Sequence, residues 1–192
     1  MKIFRLLPAA AAAAVLLAGC NILPEPQGDL ARFYVLEGAA PAAEAPAFRL
    51  GLRRVEIPAY LKSKAMVVRT GNNELRYSDT ARWAEPLEAG LSRALCGQLA
   101  AKAAVSTYPF PAQQERDYDV TVQVFAAEGA DDGVRFSASF ELVRVADGQV
   151  VARRSYTAPA GAWRGDHAQL AAQLSVAVAG LAGEILAAVP AK

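Results

Sequence analysis

The sequence predicts an α+β fold, with a mainly antiparallel sheet and two amphipathic helices packed on one face. Segments that alternate apolar and polar residues, the pattern of half-buried strands, recur along most of the chain. Three of them, joined by short turn sequences between residues 118 and 157, predict an antiparallel meander. Two longer stretches repeat large apolar residues every four positions, which predicts helices. Strands followed by a helix, twice over, are typical of α+β domains.

Residues 1–19 have the features of a secretory signal peptide. Lys2 and Arg5 form a basic start, and an apolar run follows from Leu6 to Gly19. The run has about 14 residues, fewer than the ~20 that a membrane-spanning helix needs. We therefore expect residues 1–19 to be removed and residues 20–30, which contain Pro24, Pro26 and Gly28, to form an extended tether.

Leu17-Ala18-Gly19-Cys20 resembles a bacterial lipobox. The resemblance implies cleavage before Cys20 and its acylation with chains such as palmitate. Two or more acyl chains hold a protein stably on a membrane. The alternative is an ordinary signal peptide that happens to contain a cysteine. By analogy with bacterial lipoproteins, Asn21 in place of Asp favours the periplasmic face of the outer membrane.

The composition of the mature chain excludes several classes of function. Residues 31–192 suit one domain with its own core. Without Lys2 and Arg5, 18 basic residues balance 19 acidic ones, which gives no nucleic-acid footprint and no polybasic membrane patch. Cys96 has no disulfide partner if Cys20 is acylated, and we expect it to be a small core residue. One histidine and no Cys/His cluster predict neither a metal site nor a cofactor.

Strands are predicted in order at residues 32–36, 48–55, 65–69, 74–77, 104–107, 118–124, 134–142 and 150–157. After capping oxygens at residues 78–80, a first helix is predicted from near Ala84 or Glu85. Its apolar stripe comprises Trp83, Leu87, Leu91, Leu95 and Leu99. A second helix, with a cap at Asp166 and Gln169, is predicted to run to about Val189; its stripe comprises Leu170, Leu174, Val178, Leu181 and Ile185.

The common catalytic patterns are missing from the sequence. It has no Gly-x-Ser-x-Gly turn, no phosphate-binding loop and no dinucleotide fingerprint. The single histidine, His167, follows the predicted cap at Asp166, where we expect it to be solvated. The sequence therefore favours a non-enzymatic binding or structural protein.

Four residues are candidates for contact with a partner. Pro58, Tyr60 and Leu61 form an apolar segment that could be an exposed turn, and Trp83 opens the first predicted helix. The alternative for the segment is a strand terminator with Tyr60 packed on the sheet.

Several short motifs follow one another in order: residues 33–36 (Phe-Tyr-Val-Leu), 55–61 (Val-Glu-Ile-Pro-Ala-Tyr-Leu), 66–69 (Met-Val-Val-Arg), 74–75 (Glu-Leu) and 82–87 (Arg-Trp-Ala-Glu-Pro-Leu). Together with the lipobox they resemble the ABC-type transport auxiliary lipoprotein family, which includes paraquat-inducible protein C (PqiC). The likeness is strong over residues 33–99 and only architectural after Val105.

The resemblance implies a lipid-anchored, non-enzymatic accessory of an intermembrane transport system. Its partners would be an MCE-domain protein (named for mammalian cell entry) that spans the periplasm and an ABC permease or related membrane protein. The accessory would help to pass phospholipid or another hydrophobic substrate. Some members of the family form rings, and the Ala-rich last helix favours a homo-oligomer. The alternatives are a structural or assembly lipoprotein of another outer-membrane complex, and a periplasmic protein that carries lipid in its own cavity.

Overall fold

The computed structural model describes residues 30–38, 45–71 and 73–190. The predicted signal peptide, the lipobox-like sequence with Cys20 and most of the predicted tether lie outside the described residues. From Ala31 onward the described chain belongs to one compact unit. Its strands are β1 (Arg32–Tyr34), β2 (Phe48–Glu56), β3 (Ala65–Thr70), β4 (Glu74–Trp83), β5 (Ala103–Thr107), β6 (Tyr118–Ala130), β7 (Gly133–Arg144) and β8 (Val150–Thr157). Its helices are α1 (Leu87–Leu99) and α2 (His167–Ala188), and a short 3-10 helix (Ala59–Lys62) separates β2 from β3.

The long strand β6 holds the sheet together. Along one edge it pairs antiparallel with β7, which pairs antiparallel with β8, so the predicted meander is confirmed. Along its other edge β6 pairs in parallel with β2 and then, near its end, with β3. Strands β5 and β4 extend the sheet from β2 and β3, and β1 lies beside β4. The sheet is therefore mixed, because β6 pairs in parallel with β2 and β3 and antiparallel with β7.

Both helices cover the same apolar face of the sheet. Helix α1 contacts β2 and β5, α2 contacts β7 and β8, and the two helices contact each other. Val120, Val122 and Phe140 lie in this core and are at most 2 % exposed. The predicted α+β class, with two helices on one face, is confirmed.

The predicted start of α1 is wrong. Residues 78–80 do not cap a helix but continue β4, which ends at Trp83, and α1 begins only at Leu87, directly after Pro86. Pairing with β1 and a hydrogen bond from the Trp83 N–H to the Lys64 carbonyl (2.7 Å) hold residues 81–83 extended. The stripe from Leu87 to Leu99 is buried as predicted, whereas Trp83 reaches the core from the strand.

Helix α2 is a core helix. It is long and apolar enough to cross a membrane, but its buried residues, among them Leu174 and Ile185, pack against the sheet and α1. Core helices commonly combine such length with such composition. The apolar character that favoured an oligomer is therefore largely explained by packing within the chain.

Candidate functional site

The structure places the four predicted contact residues differently from each other. Leu61 and Trp83 are 2 % and 4 % exposed, so neither side chain offers surface to a partner in this structure. The chain from Pro58 folds into the 3-10 helix, closed by a Leu61 N–H to Pro58 carbonyl bond of 3.0 Å, and this turns Leu61 into the core. Pro58 and Tyr60 are half-buried. The alternative, with Tyr60 packed on the sheet, matches the structure.

Tyr60 joins two exposed aromatic residues that sequence reasoning did not connect. Its hydroxyl donates to the Phe125 carbonyl at 3.2 Å, and the Tyr77 hydroxyl donates to the Tyr60 carbonyl at 3.1 Å. Phe125 is 52 % exposed because it lies on the solvent face of β6 with Thr121 and Gln123, next to a register shift with β7. We call Tyr60, Tyr77 and Phe125 the aromatic patch.

A cavity of about 460 Å³ lies beside the aromatic patch. Its wall is formed by Tyr60, Arg69, Phe125, Glu128, Arg135 and small residues that include Ala160. None of its lining residues comes from α1 or α2. We call it the Glu128 cavity, because that carboxylate is its most unusual group.

Glu128 is a buried acid in the middle of a sheet. Its side chain is 0 % exposed, and its Oε1 accepts a hydrogen bond from the Arg69 Nε at 2.5 Å. Its Oε2 has no hydrogen-bond partner among the described residues. The bond to Glu128 raises the pKa of Arg69, and burial, followed by the interaction of its hydroxyl with the Glu128 carboxylate, raises the pKa of Tyr60. A buried carboxylate with one oxygen left unpaired calls for an explanation.

Asp119, the buried acidic residue at the other end of β6, has no unpaired oxygen. Asp119 is 3 % exposed, and its two oxygens bind Arg53 (2.9 Å) and Arg116 (2.8 Å). Gly51 leaves the room for this arrangement, because a Cβ there would lie 2.3 Å from the Asp119 carboxylate. Arg116 also stacks over the Phe110 ring at 3.9 Å. The hydrogen-bonding capacity of Asp119 is therefore used within the chain, where its ion pairs connect β2, β6 and the loop before β6.

His167 is half-buried and not fully solvated, which corrects the prediction. Its position is as expected, at the first turn of α2, where Asp166 accepts from the Ala168 N–H at 2.9 Å. Its ring, however, lies between those of Tyr34 (6.4 Å) and Trp163 (6.2 Å). Its Nε2 is buried with no partner among the described residues, and burial lowers the pKa of His167.

The burial of His167 predicts a stability that depends on pH. A folded-state pKa below the ordinary 6.5 means that the unfolded chain binds more protons near and below pH 6.5. The free energy of unfolding therefore falls as the pH decreases from 7.5 to 5.5. Because this histidine is the only one in the chain, its ring proton resonance reports the pKa directly in an NMR titration. We expect a midpoint below 6.5; a midpoint at or above 6.5, or an equal loss of stability in His167→Gln, contradicts the prediction.

Cys96 lies half-buried on α1 against the core. Burial raises the pKa of its thiol to about 11. The thiol is therefore protonated at neutral pH and a poor nucleophile. This agrees with the expectation of a small, packed residue, although the side chain is less buried than expected.

Comparison with known proteins identifies the family. Residues 34–186 match the family described as the ABC-type transport auxiliary lipoprotein component. Protein XCC0632 from Xanthomonas campestris, of the DUF330 family, shares the fold with a TM-score of 0.67 at 22 % identity, over 81 % of this chain and 93 % of that one. The crystal structure of an uncharacterized protein gives 0.66 at 22 % identity, over 80 % and 94 %.

A third structure is more distant. The PelC dodecamer from Paraburkholderia phytofirmans aligns at 16 % identity over 80 % of this chain and 96 % of that one, with a TM-score of 0.43. A search of curated proteins gave no match. The family match covers most of the chain, including α1, all but the last two residues of α2 and seven complete strands of the sheet. The chain therefore belongs to the family of ABC-type transport auxiliary lipoprotein components.

Proposed function

We propose that this chain is a non-enzymatic accessory of an ABC/MCE-type system that moves phospholipid between membranes. In the proposal, acylated Cys20 holds the domain at the periplasmic face of the outer membrane. The observation that carries the proposal is the family match over residues 34–186, which begins a short distance after a lipobox-like sequence at residues 17–20. The partners are an MCE-domain periplasmic protein and its ABC permease or membrane partner.

The short tether gives the proposed anchor its physical role. Nine residues separate Cys20 from Leu30, and a fully extended chain of that length spans about 30 Å. Such a tether keeps the domain close to the bilayer and raises its effective concentration for a partner that reaches the same membrane. Loss of the anchor would then weaken partner binding without changing any contact.

Several side chains support a role outside catalysis. The Cys96 thiol is protonated, both Asp119 oxygens are bonded, and the His167 ring is half-buried beside two aromatic rings. No group of three or more potential metal ligands occurs in the part of the chain that the structure describes. These groups lack the accessible nucleophile and base that acyl or phosphoryl transfer needs.

The aromatic patch is the surface that we propose for the protein partner. Of the residues considered from sequence, Pro58 and Tyr60 keep exposed area there, and Tyr77 and Phe125 add to it. Aromatic residues at accessible positions are typical of interface centres. Leu61 and Trp83 belong to the core and are not part of this surface.

A lipid-carrying role is the second candidate, and the Glu128 cavity is the observation that favours it. At about 460 Å³ the cavity falls within the ~300–1,000 Å³ typical of small-molecule sites. It is wide enough for a polar headgroup, while the apolar core between sheet and helices is filled by side chains. The domain therefore suits contact with a headgroup better than full enclosure of two acyl chains.

The location of the MCE protein tests the proposal. If this chain links that protein to the outer membrane, part of the MCE protein should sediment with outer-membrane fractions only in cells that contain the chain. An unchanged distribution in a deletion strain contradicts the proposed role.

A further inference from the structure

The unpaired oxygen of Glu128 is the starting point. A carboxylate that accepts from Arg69 through Oε1 alone keeps unused acceptor capacity at Oε2, in surroundings with no water-like dielectric. Leaving a buried charged acceptor unsatisfied costs free energy, which a ligand that supplies an N–H donor would recover. Glu128 also lines the cavity, so the donor can come from a molecule that occupies it.

The charges around the cavity restrict the kind of donor. Arg69 lines the wall, and Arg135 lies opposite Glu128 on β7. Arg135 is paired only loosely, at 3.3 Å from Asp132, and its side chain is 49 % exposed. Besides Glu128, a lone cation would meet two guanidinium groups, which carry hydrogen-bond donors and no acceptor. A ligand that carries an anionic group next to its ammonium group satisfies the carboxylate and the arginines together.

Tyr60 lies beside the Glu128 carboxylate at the cavity wall. Its ring lines the cavity close to Glu128, and its hydroxyl is held by a 3.2 Å bond to the Phe125 carbonyl, longer than most O–H···O bonds. Rotation of the Tyr60 side chain would open the carboxylate to an occupant at the cost of its bond to the Phe125 carbonyl and of its interaction with the Glu128 carboxylate. Phe125 and Ala160 then offer apolar surface to the part of the ligand that leaves the cavity.

We propose that the Glu128 cavity binds a phosphoethanolamine headgroup, with the ammonium on Glu128 and the phosphate on Arg69 and Arg135. A choline headgroup has a similar charge distribution but no N–H, so it cannot satisfy Oε2. The cavity therefore discriminates between two zwitterions by hydrogen bonding. The charges and hydrogen-bond donors of the ligand are inferred from the cavity alone. Its assignment to a phospholipid rests on the function proposed above.

The test is titration calorimetry on the full chain in maltoside micelles. The probes are glycerophosphoethanolamine and dihexanoyl-phosphatidylethanolamine, each compared with its choline counterpart. We expect both ethanolamine probes to bind at least tenfold more tightly than their choline counterparts. Tighter binding of the dihexanoyl lipid than of the free headgroup supports a lipid source, and equal binding refutes that source. Absence of binding, or equal binding of ethanolamine and choline probes, overturns the proposal.

Two variants locate the binding. Glu128→Gln and Arg135→Gln should each lower the affinity for the ethanolamine probes at least tenfold. Arg135→Gln keeps the test valid if Glu128→Gln fails to fold, because an exposed ion pair contributes little stability. Arg144→Gln is the matched control, since Arg144 lies on the same strand and pairs with Asp147 three residues away. Unchanged binding in Arg135→Gln contradicts the site. None of these measurements uses the MCE protein, so failure here and failure of the transport role are distinguishable.

Discussion

Replacing Cys20 with alanine should remove the chain from the outer membrane. Each methylene of an acyl chain contributes about 0.8 kcal/mol to membrane binding, and two or more chains make the attachment stable. The variant has no thiol to acylate at the lipobox. We expect loss of metabolic palmitate labelling and at least a tenfold fall in the share of the chain that sediments with outer membrane in a density gradient.

The second cysteine provides the control for this experiment. Cys96→Ala changes a half-buried residue of α1 and leaves the lipobox intact, so its labelling and sedimentation should match wild type. Palmitate labelling that persists in Cys20→Ala and disappears in Cys96→Ala would show that Cys96 is acylated instead of Cys20, which contradicts the prediction. A Cys20→Ala chain that still sediments with outer membrane in cells without the MCE protein would refute the anchor altogether.

Replacing Leu174 with alanine should cost about 2–5 kcal/mol of unfolding free energy, the range for large-to-small changes in a packed core. Leu174 is 0 % exposed in the middle of α2, where it belongs to the shared core of sheet and helices. Alanine is a good helix former, so the loss comes from the cavity and not from helix propensity. Urea unfolding followed by tryptophan fluorescence measures it.

Val176, two residues further along α2, is the control. Its side chain is 66 % exposed, and Val176→Ala should change the unfolding free energy by less than about 0.5 kcal/mol. The pair of variants also tests whether α2 packs on its own sheet. If Val176→Ala destabilised the isolated chain as strongly as Leu174→Ala, the face of α2 assigned to solvent would be buried in another contact.

The parts of the fold that sequence predicts well depend on local signals. The meander follows from alternating residues and from turns at residues 131–133 and 147–148, all close together in the chain. The end of β4 depends instead on β1, about 50 residues earlier, whose Tyr34 pairs with Trp83. Capping-type residues at 78–80 therefore suggested a helix start, whereas β4 continues through them to residues 81–83, which pair with β1.

The Glu128 cavity, like the end of β4, depends on a pairing between distant segments that local sequence patterns do not reveal. Arg69 and Glu128 are 59 residues apart and meet only because β3 pairs in parallel with the last residues of β6. No periodicity within one segment reports that pairing. One local signal was present: Glu128 stands among alanine and glycine residues in a strand that continues past Val124. A charged residue in such a run indicates a buried, paired group.

The distribution of the MCE protein between the two membranes tests the central claim most directly. Gradient fractions are compared from cells with the wild-type chain, with Cys20→Ala and with no chain. If the anchored domain binds the MCE protein, part of that protein sediments with outer membrane in wild-type cells and all of it with inner membrane in the other two. The same distribution in all three strains would contradict the proposed role.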